Sequence, residues 1–216
     1  MNTTAIELNN RGVVELQSGN FALAFALLSE AGKITIAGIS HHVHVDSDAT
    51  AIRFHWEDCS SKDENLPTYW EGSVSFLYIR ALRISYTGKE ADLDSQCACG
   101  LAWCVWFNLA LCANVLGSRL GDRGRSLLEV AFDLYHKVQK RIDCEPSSKH
   151  WDLLQMAVLN NRACIYRDMA LHDELNICLD ELGAVVHSAS SVEDFHKWSF
   201  VLNVEILGNT TTAASA

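Results

Sequence analysis

The chain repeats one short sequence pattern near its two ends. Residues 8–12 (LNNRG) return as residues 159–163 (LNNRA). After each copy come a short apolar run, a turn signal and a second apolar stripe, which together predict a helix, a tight turn and another helix. One such unit cannot bury its apolar face alone, so the repetition predicts a protein built of stacked helix pairs.

The first predicted pair occupies residues 5–32. Apolar residues fall near helical spacing from Ala5 to Ser18, and Gly19 and Asn20 then interrupt the pattern. A second helix is predicted to begin at Phe21 and to end at Gly32, because glycine is common just beyond a helix C-terminus.

A change of period follows this first pair. Residues 43–46, 51–56 and 75–85 are rich in β-branched and aromatic side chains and partly alternate with polar ones. This pattern predicts a β-hairpin or a three-stranded meander inserted into the helical array, within residues 41–86.

Helical patterns resume near Ala98. The run from Cys99 to Gly117 carries no charged residue, as expected of a helix covered on all sides by neighbours. Such a run is also long enough to span a bilayer, but Asn108 and Asn114 favour the buried helix, so no membrane partner is predicted. The further predictions are a loop at 118–125 and helices at 126–141, 151–169, 173–186 and 191–207, followed by a disordered tail at 209–216.

Composition limits the class of protein and its partners. Several of the eight cysteines lie in apolar helical patterns, which favours free thiols in a reducing compartment over disulfides. The N-terminus has no secretory signal, so a cytoplasmic location is predicted, with the nucleus as a second intracellular option. A formal net charge of −10 disfavours nucleic acid as a partner.

These elements resemble tetratricopeptide repeats, which are helix–turn–helix units of roughly 34 residues. In the first pair Leu8, Gly12 and Ala24 stand at the family's large and small packing positions, and Gly19 stands in its turn. The resemblance implies a mainly α solenoid of about seven helices with the β insertion after the first repeat. It implies one domain over 1–208, with repeats at 5–32, 98–141 and 149–186 and a capping helix at 191–207.

The order of elements is also similar to that of tetratricopeptide-like proteins of algae, diatoms in particular. That similarity brings no activity with it. The repeats here are degenerate, since Arg11, Glu15 and Arg162 stand where the family prefers apolar or aromatic side chains.

Three asparagines are the predicted partner-binding residues. Asn10, Asn108 and Asn161 take the same place on the first helix of each pair, a place that in the resembled family commonly faces the concave groove. Because a carboxamide both donates and accepts, it can hold the backbone of an extended peptide without reading its side chains. The alternative is that these asparagines bond to neighbouring helix backbone and only hold register.

Arginines supply a second predicted contact with a partner. Arg119, Arg123 and Arg125 in the loop after Gly117 could dock an acidic peptide, although a solvated loop explains them as well. The glycine spacing in this loop does not match a phosphate-binding motif.

Catalytic and metal-dependent functions have weaker support. His42, His44 and Asp46 alternate, and on a strand they would point to one side, as zinc ligands can. The chain has no CxxC pair, no HExxH motif and no nucleophile elbow, so neither an enzyme nor a bound cofactor is predicted.

The sequence therefore predicts a non-catalytic interaction scaffold that binds a protein or peptide through the concave face of its helical repeats. Two alternatives stay open at this point. One is a structural subunit of a homo- or hetero-oligomeric assembly, and the other is a metal-binding protein that uses His42, His44 and Asp46.

Overall fold

The structure is a computed structural model of the 216-residue chain. It describes residues 2–39, 52–58, 78, 80–86, 98–144, 151–189, 192, 197 and 200–207. The predicted strand at 43–46 and the predicted metal ligands His42, His44 and Asp46 lie outside these residues, as does the predicted tail at 209–216.

The described part of the chain is mainly helical with a small two-stranded sheet. In chain order the elements are α1 (Asn2–Gln17), α2 (Phe21–Ile39), β1 (Ile52–Asp58), β2 (Arg80–Tyr86), α3 (Ala98–Leu120), α4 (Arg125–Cys144), α5 (Asp152–Asp168) and α6 (His172–Ser188). Residues 200–207 are also helical, within the predicted final helix.

The chain divides into two compact units that interleave along the sequence. The first unit comprises Met1–Leu66 and Ile79–Leu134, and the second comprises Pro67–Tyr78 and Tyr135–Ala216. The predicted single domain, the solenoid arrangement and the helix count stay predictions.

Helices α1 and α2 form an antiparallel pair because a tight turn joins two apolar faces. At the end of α1 the amide of Gly19 donates to the carbonyl of Leu16 at 3.1 Å, and the amide of Asn20 donates to that of Glu15 at 2.9 Å. These two bonds define a Schellman motif, which needs a left-handed residue, and Gly19 supplies it with a φ of 77°. Close packing follows at Gly12, where an added Cβ would lie 2.7 Å from Leu28 Cγ.

Helices α5 and α6 are joined by the same turn in the second unit. Here the amide of Ala170 donates to Arg167 at 3.0 Å and the amide of Leu171 donates to Tyr166 at 2.9 Å. Ala170 takes the left-handed conformation with a φ of 56°, where the first pair has glycine. The two segments with the LNN pattern therefore fold into the same local structure.

The structure corrects two predicted helix ends. Helix α2 does not end at Gly32 but continues to Ile39, because the apolar pattern of the sequence continues beyond the glycine. A Cβ on Gly32 would lie 3.9 Å from Leu109, an ordinary contact distance. Helix α3 continues past Gly117 to Leu120. A Cβ on Gly117 would lie 2.8 Å from Leu128, so this glycine allows close approach rather than helix termination.

The predicted loop at 118–125 is also shorter and more ordered than expected. A single 3₁₀ turn, Gly121–Gly124, joins α3 to α4. Gly124 is buried, and a side chain there would collide with the backbone of Gly117. The glycines of this segment thus serve a tight helix connection.

The β insertion contains an antiparallel hairpin of β1 and β2. Ile84 is opposite Phe54, Leu82 is opposite Trp56, and Arg80 is opposite Asp58. The predicted strands at 51–56 and 75–85 are confirmed with their limits shifted to 52–58 and 80–86.

Helix α3 is the apolar centre of the first unit, with every side chain from Leu101 to Val115 buried. One stretch of the described residues, beginning at Gly100, is long and apolar enough to cross a membrane, and 83% of its apolar window is buried inside the protein. That degree of burial is what the core helix of a folded domain requires.

Candidate functional site

The three predicted asparagines all bind backbone, and the backbone is that of the chain's own hairpin region. In the first unit, Asn10 Nδ2 donates to the carbonyl of Ile84 at 2.7 Å, and the amide of Ile84 donates to Asn10 Oδ1 at 2.9 Å. Each carboxamide therefore satisfies both polar groups of one residue, a recognition that does not depend on the side chain of that residue.

Asn108 repeats this pairing on Leu82, two residues earlier in the strand. The amide of Leu82 donates to Asn108 Oδ1 at 2.7 Å, and Asn108 Nδ2 donates to the carbonyl of Leu82 at 2.8 Å. Residues 82 and 84 present their polar groups on the same side of β2, because that side alternates along a strand. The edge of β2 is thus covered by side-chain amides, which protects an otherwise exposed strand edge.

Asn9 joins these two asparagines into one network. Its Nδ2 donates to the carbonyl of Leu82 at 3.0 Å and to Asn10 Oδ1 at 3.3 Å, while its Oδ1 accepts from Asn108 Nδ2 at 2.8 Å. Asn9 and Asn108 are fully buried. We call Asn9, Asn10 and Asn108 the first clamp.

The second unit contains an equivalent network on Tyr78. The amide of Tyr78 donates to Asn161 Oδ1 at 2.7 Å, and Asn161 Nδ2 donates to the carbonyl of Tyr78 at 3.2 Å. Asn160 Nδ2 donates to Asn161 Oδ1 at 3.1 Å, as Asn9 does to Asn10, and Asn160 Oδ1 accepts from Asn203 at 2.6 Å. We call Asn160, Asn161 and Asn203 the second clamp.

Aromatic side chains complete the surroundings of each clamp. In the second unit, Asn161 Nδ2 also donates to the buried Tyr135 hydroxyl at 3.0 Å, and the Tyr78 ring lies 4.9 Å from that of Phe200. In the first unit Phe107 precedes Asn108 as Asn9 precedes Asn10. The Phe107 ring contacts the Trp56 ring edge to face, with 5.6 Å between the ring centres. Both clamps are neutral, so they hold backbone through hydrogen bonds rather than charge.

Sequence reasoning found one asparagine of each doubled pattern and missed its neighbour. Asn9 and Asn160 repeat in the two LNN segments, so the repeated pair was the available signal. Asn203 stands alone in the final helical pattern, and no sequence signal marked it. Tyr78, Leu82 and Ile84 lie in a predicted strand, but nothing in that strand indicated what it binds.

The structure does not bring the three predicted arginines into either clamp. The Arg119 guanidinium lies 4.1 Å from the centre of the Phe21 ring, a cation–π contact within the fold. Arg123 is exposed in the 3₁₀ turn, and the exposed Arg125 pairs with Glu129 at 3.5 Å. Binding of an acidic peptide by these arginines stays a prediction.

The thiols and the possible metal ligands do not form a site within the described residues. Cys104, Cys112, Cys144, Cys164 and Cys178 are free, and all but Cys144 are buried. Burial raises the pKa of Cys164 and of Cys178 to about 12, so both stay protonated. Among the residues that the structure describes, no three histidine, cysteine or acidic side chains are grouped as a metal site would require.

A scan against models of protein families found no match to the chain, and neither a search of curated proteins nor a search of solved structures found one.

Proposed function

We propose that this chain is a tetratricopeptide-like, non-catalytic scaffold that binds extended segments of partner proteins by their backbone. The observation that carries the proposal is the paired bonding of Asn10 and Asn108, in which one carboxamide takes the amide and the carbonyl of a single residue. A surface that holds backbone in this way accepts many sequences, as an interaction scaffold requires.

The repeated local structure also supports this assignment. The doubled asparagine, the Schellman turn and the Asn-to-Asn bond recur in the segments 8–20 and 159–171. Because the chain contains this backbone-binding arrangement twice, we take it as a general means of binding extended polypeptide rather than a detail of one turn. The free buried thiols support action in a reducing compartment.

Affinity capture with matched asparagine variants tests the proposal. Asn10 is the suitable position because it is only half-buried, so that Asn10→Ala removes a clamp carboxamide with limited loss of packing. Asn20→Ala is the control, since Asn20 is exposed and its side chain donates to Glu15 in the turn rather than to the clamp. Both variants should keep the helical circular dichroism of the wild type.

We expect the wild type and Asn20→Ala to capture at least one protein from a lysate in similar amounts. The amount of that protein captured by Asn10→Ala should be lower by about fivefold or more. Hydrogen exchange on the purified pair should then place an extended partner segment at the clamp. Equal capture of every protein by all three forms would contradict the proposal.

A second candidate function is a structural subunit of an oligomer. Large apolar side chains are more than a third exposed on several helices, among them Val14, Leu23, Leu120, Val130 and Ile177. Burial of such side chains between subunits is favourable. Sedimentation of the purified chain tests self-association, because a stable monomer at micromolar concentration contradicts a homo-oligomeric subunit role.

A further inference from the structure

We infer that β2 is an internal ligand of the first clamp, and that a partner replaces it with a strand of the same chemistry. This inference rests on the proposed function and adds the class of partner and the means of regulation. The evidence is the way in which β2 occupies the clamp.

The occupant is held at its backbone and at two apolar side chains. Leu82 and Ile84, whose amides and carbonyls bind the clamp, are each only 2% exposed. The clamp therefore offers two apolar sites, separated by one residue, beside its row of carboxamides. An extended peptide that supplies apolar side chains at this spacing makes the same contacts.

The neighbouring positions of β2 limit further which side chains a strand bound to the clamp can carry. Ala81 is fully buried, so the position before the first apolar residue accepts only a small side chain. Arg83, between the two apolar residues, is exposed and makes a loose ion pair with Glu57 at 3.8 Å. The segment that fits the clamp thus reads small, large apolar, polar, large apolar.

The occupant is held by the clamp carboxamides and by burial of Leu82 and Ile84, so a competing strand that supplies the same amides and apolar side chains would replace both contributions. Within the described residues the sheet has two strands, so the sheet itself adds the pairing with β1 to this support. The Arg83–Glu57 pair across the hairpin is solvent-exposed and contributes little. A competing strand that occupies the clamp would remove the main support of β2 while leaving the packing between α1 and α2 in place.

A peptide with the sequence of β2 tests the inference directly. Fluorescein-labelled RALRISY, residues 80–86, is titrated against the full-length chain and against full-length Leu82→Ala, followed by fluorescence anisotropy. Truncation of Leu82 weakens the internal strand but leaves the clamp intact, so the peptide should bind the variant at least about tenfold more tightly than the wild type.

Two controls show whether the clamp recognises the backbone of the peptide. The same peptide with N-methyl groups on its leucine and isoleucine amides, those of residues 82 and 84, lacks the two donors and should bind at least about tenfold more weakly. Adding Asn10→Ala to Leu82→Ala should also reduce peptide affinity. Absence of binding to Leu82→Ala at millimolar peptide, with native circular dichroism, would overturn the inference.

A measurement on the unaltered chain covers the case in which Leu82→Ala does not fold. Millimolar peptide should speed hydrogen exchange of the Leu82 and Ile84 amides in the wild type, because displaced β2 loses its acceptors. Unchanged exchange at these amides would overturn the inference. That failure differs from failure of the proposed function, which is measured separately, by the loss of partner capture in Asn10→Ala.

Discussion

A buried carboxamide is stabilising only when its donor and acceptor groups both find partners. Asn108, fully buried in an apolar helix, accepts one hydrogen bond and donates two. Asn114 lies six residues further along the same helix and is only 1% exposed, but its Nδ2 is buried without a partner and its Oδ1 accepts a long bond from Ser118 at 3.4 Å. Asn108 is therefore buried with its polar groups bonded, whereas Asn114 is buried with its Nδ2 unpaired.

Replacing each asparagine by leucine, which has a similar volume, makes this difference measurable. Asn108→Leu should lower the free energy of unfolding by about 2–4 kcal/mol, because polar groups of Leu82 and Asn9 lose their partner. Asn114→Leu should change it by less than about 1 kcal/mol. Urea denaturation measures both, and equal losses would contradict the role given to Asn108.

Cysteine reactivity gives a second test at the scale of residues. Desolvation raises the pKa of Cys104 well above its usual value and that of Cys164 and Cys178 to about 12. Because the thiolate is the reactive form, these three should resist alkylation at pH 8 in the native protein, whereas the exposed Cys144 should react.

Peptide-resolved mass spectrometry after alkylation reads each site separately. The same shifts make the free energy of unfolding fall as the pH rises from about 9 toward 12, since the thiols ionise first in the unfolded chain. Fast alkylation of Cys164 or Cys178 in the native protein would contradict the burial of these thiols.

At the scale of elements, the two helix pairs share one turn but differ in the residue at its left-handed position. Gly19 has a φ of 77° and Ala170 a φ of 56°. Left-handed backbone costs an L-residue roughly 1–2 kcal/mol and costs glycine almost nothing. The second pair thus carries a strain that the first avoids.

Exchanging the two residue types should therefore act in opposite directions. Ala170→Gly should raise the free energy of unfolding by about 1 kcal/mol, and Gly19→Ala should lower it by about as much. In a chain of this size that corresponds to a shift of roughly 2–4 °C in Tm for each variant. Shifts of the same sign, measured by calorimetry, would contradict the equivalence of the turns.

Glycines also show why helix ends were harder to predict than helices. A glycine after an apolar stripe predicts a helix end, and Gly19 behaves in this way. Gly32 and Gly117 carry the same signal but lie inside α2 and α3. Gly117 lets Leu128 of α4 approach, whereas a Cβ on Gly32 would be only at ordinary contact distance from Leu109. The partner that requires a glycine is on another helix, so the local sequence does not distinguish the two uses.

At the scale of the whole molecule, the sequence predicted asparagines that bind a partner, which stays a prediction, and did not predict that they bond to the chain's own backbone. The repeated LNN pattern predicted asparagines that hold extended backbone, and the residues 51–56 and 75–85 were predicted as strands. The asparagines bond to backbone that is distant in the sequence. Asn10 and Ile84 are 74 positions apart, and Asn161 and Tyr78 are 83 positions apart. Asparagine holds any backbone, so no complementary side-chain pattern marked the strand that binds.

The two units share a common plan. Each contains a doubled asparagine on the first helix of a pair, a third asparagine from a later helix, and backbone of the segment 78–86 as the bound chain. These side chains hold that segment residue by residue.

Residue-resolved hydrogen exchange by NMR tests this claim most directly. Asn10→Ala should speed exchange of the Ile84 amide about tenfold or more with a smaller effect on Leu82, and Asn108→Leu should do the reverse, because each amide donates to one of these asparagines. If neither amide responds, or if both respond equally to both substitutions, the asparagines do not hold β2 in the way described.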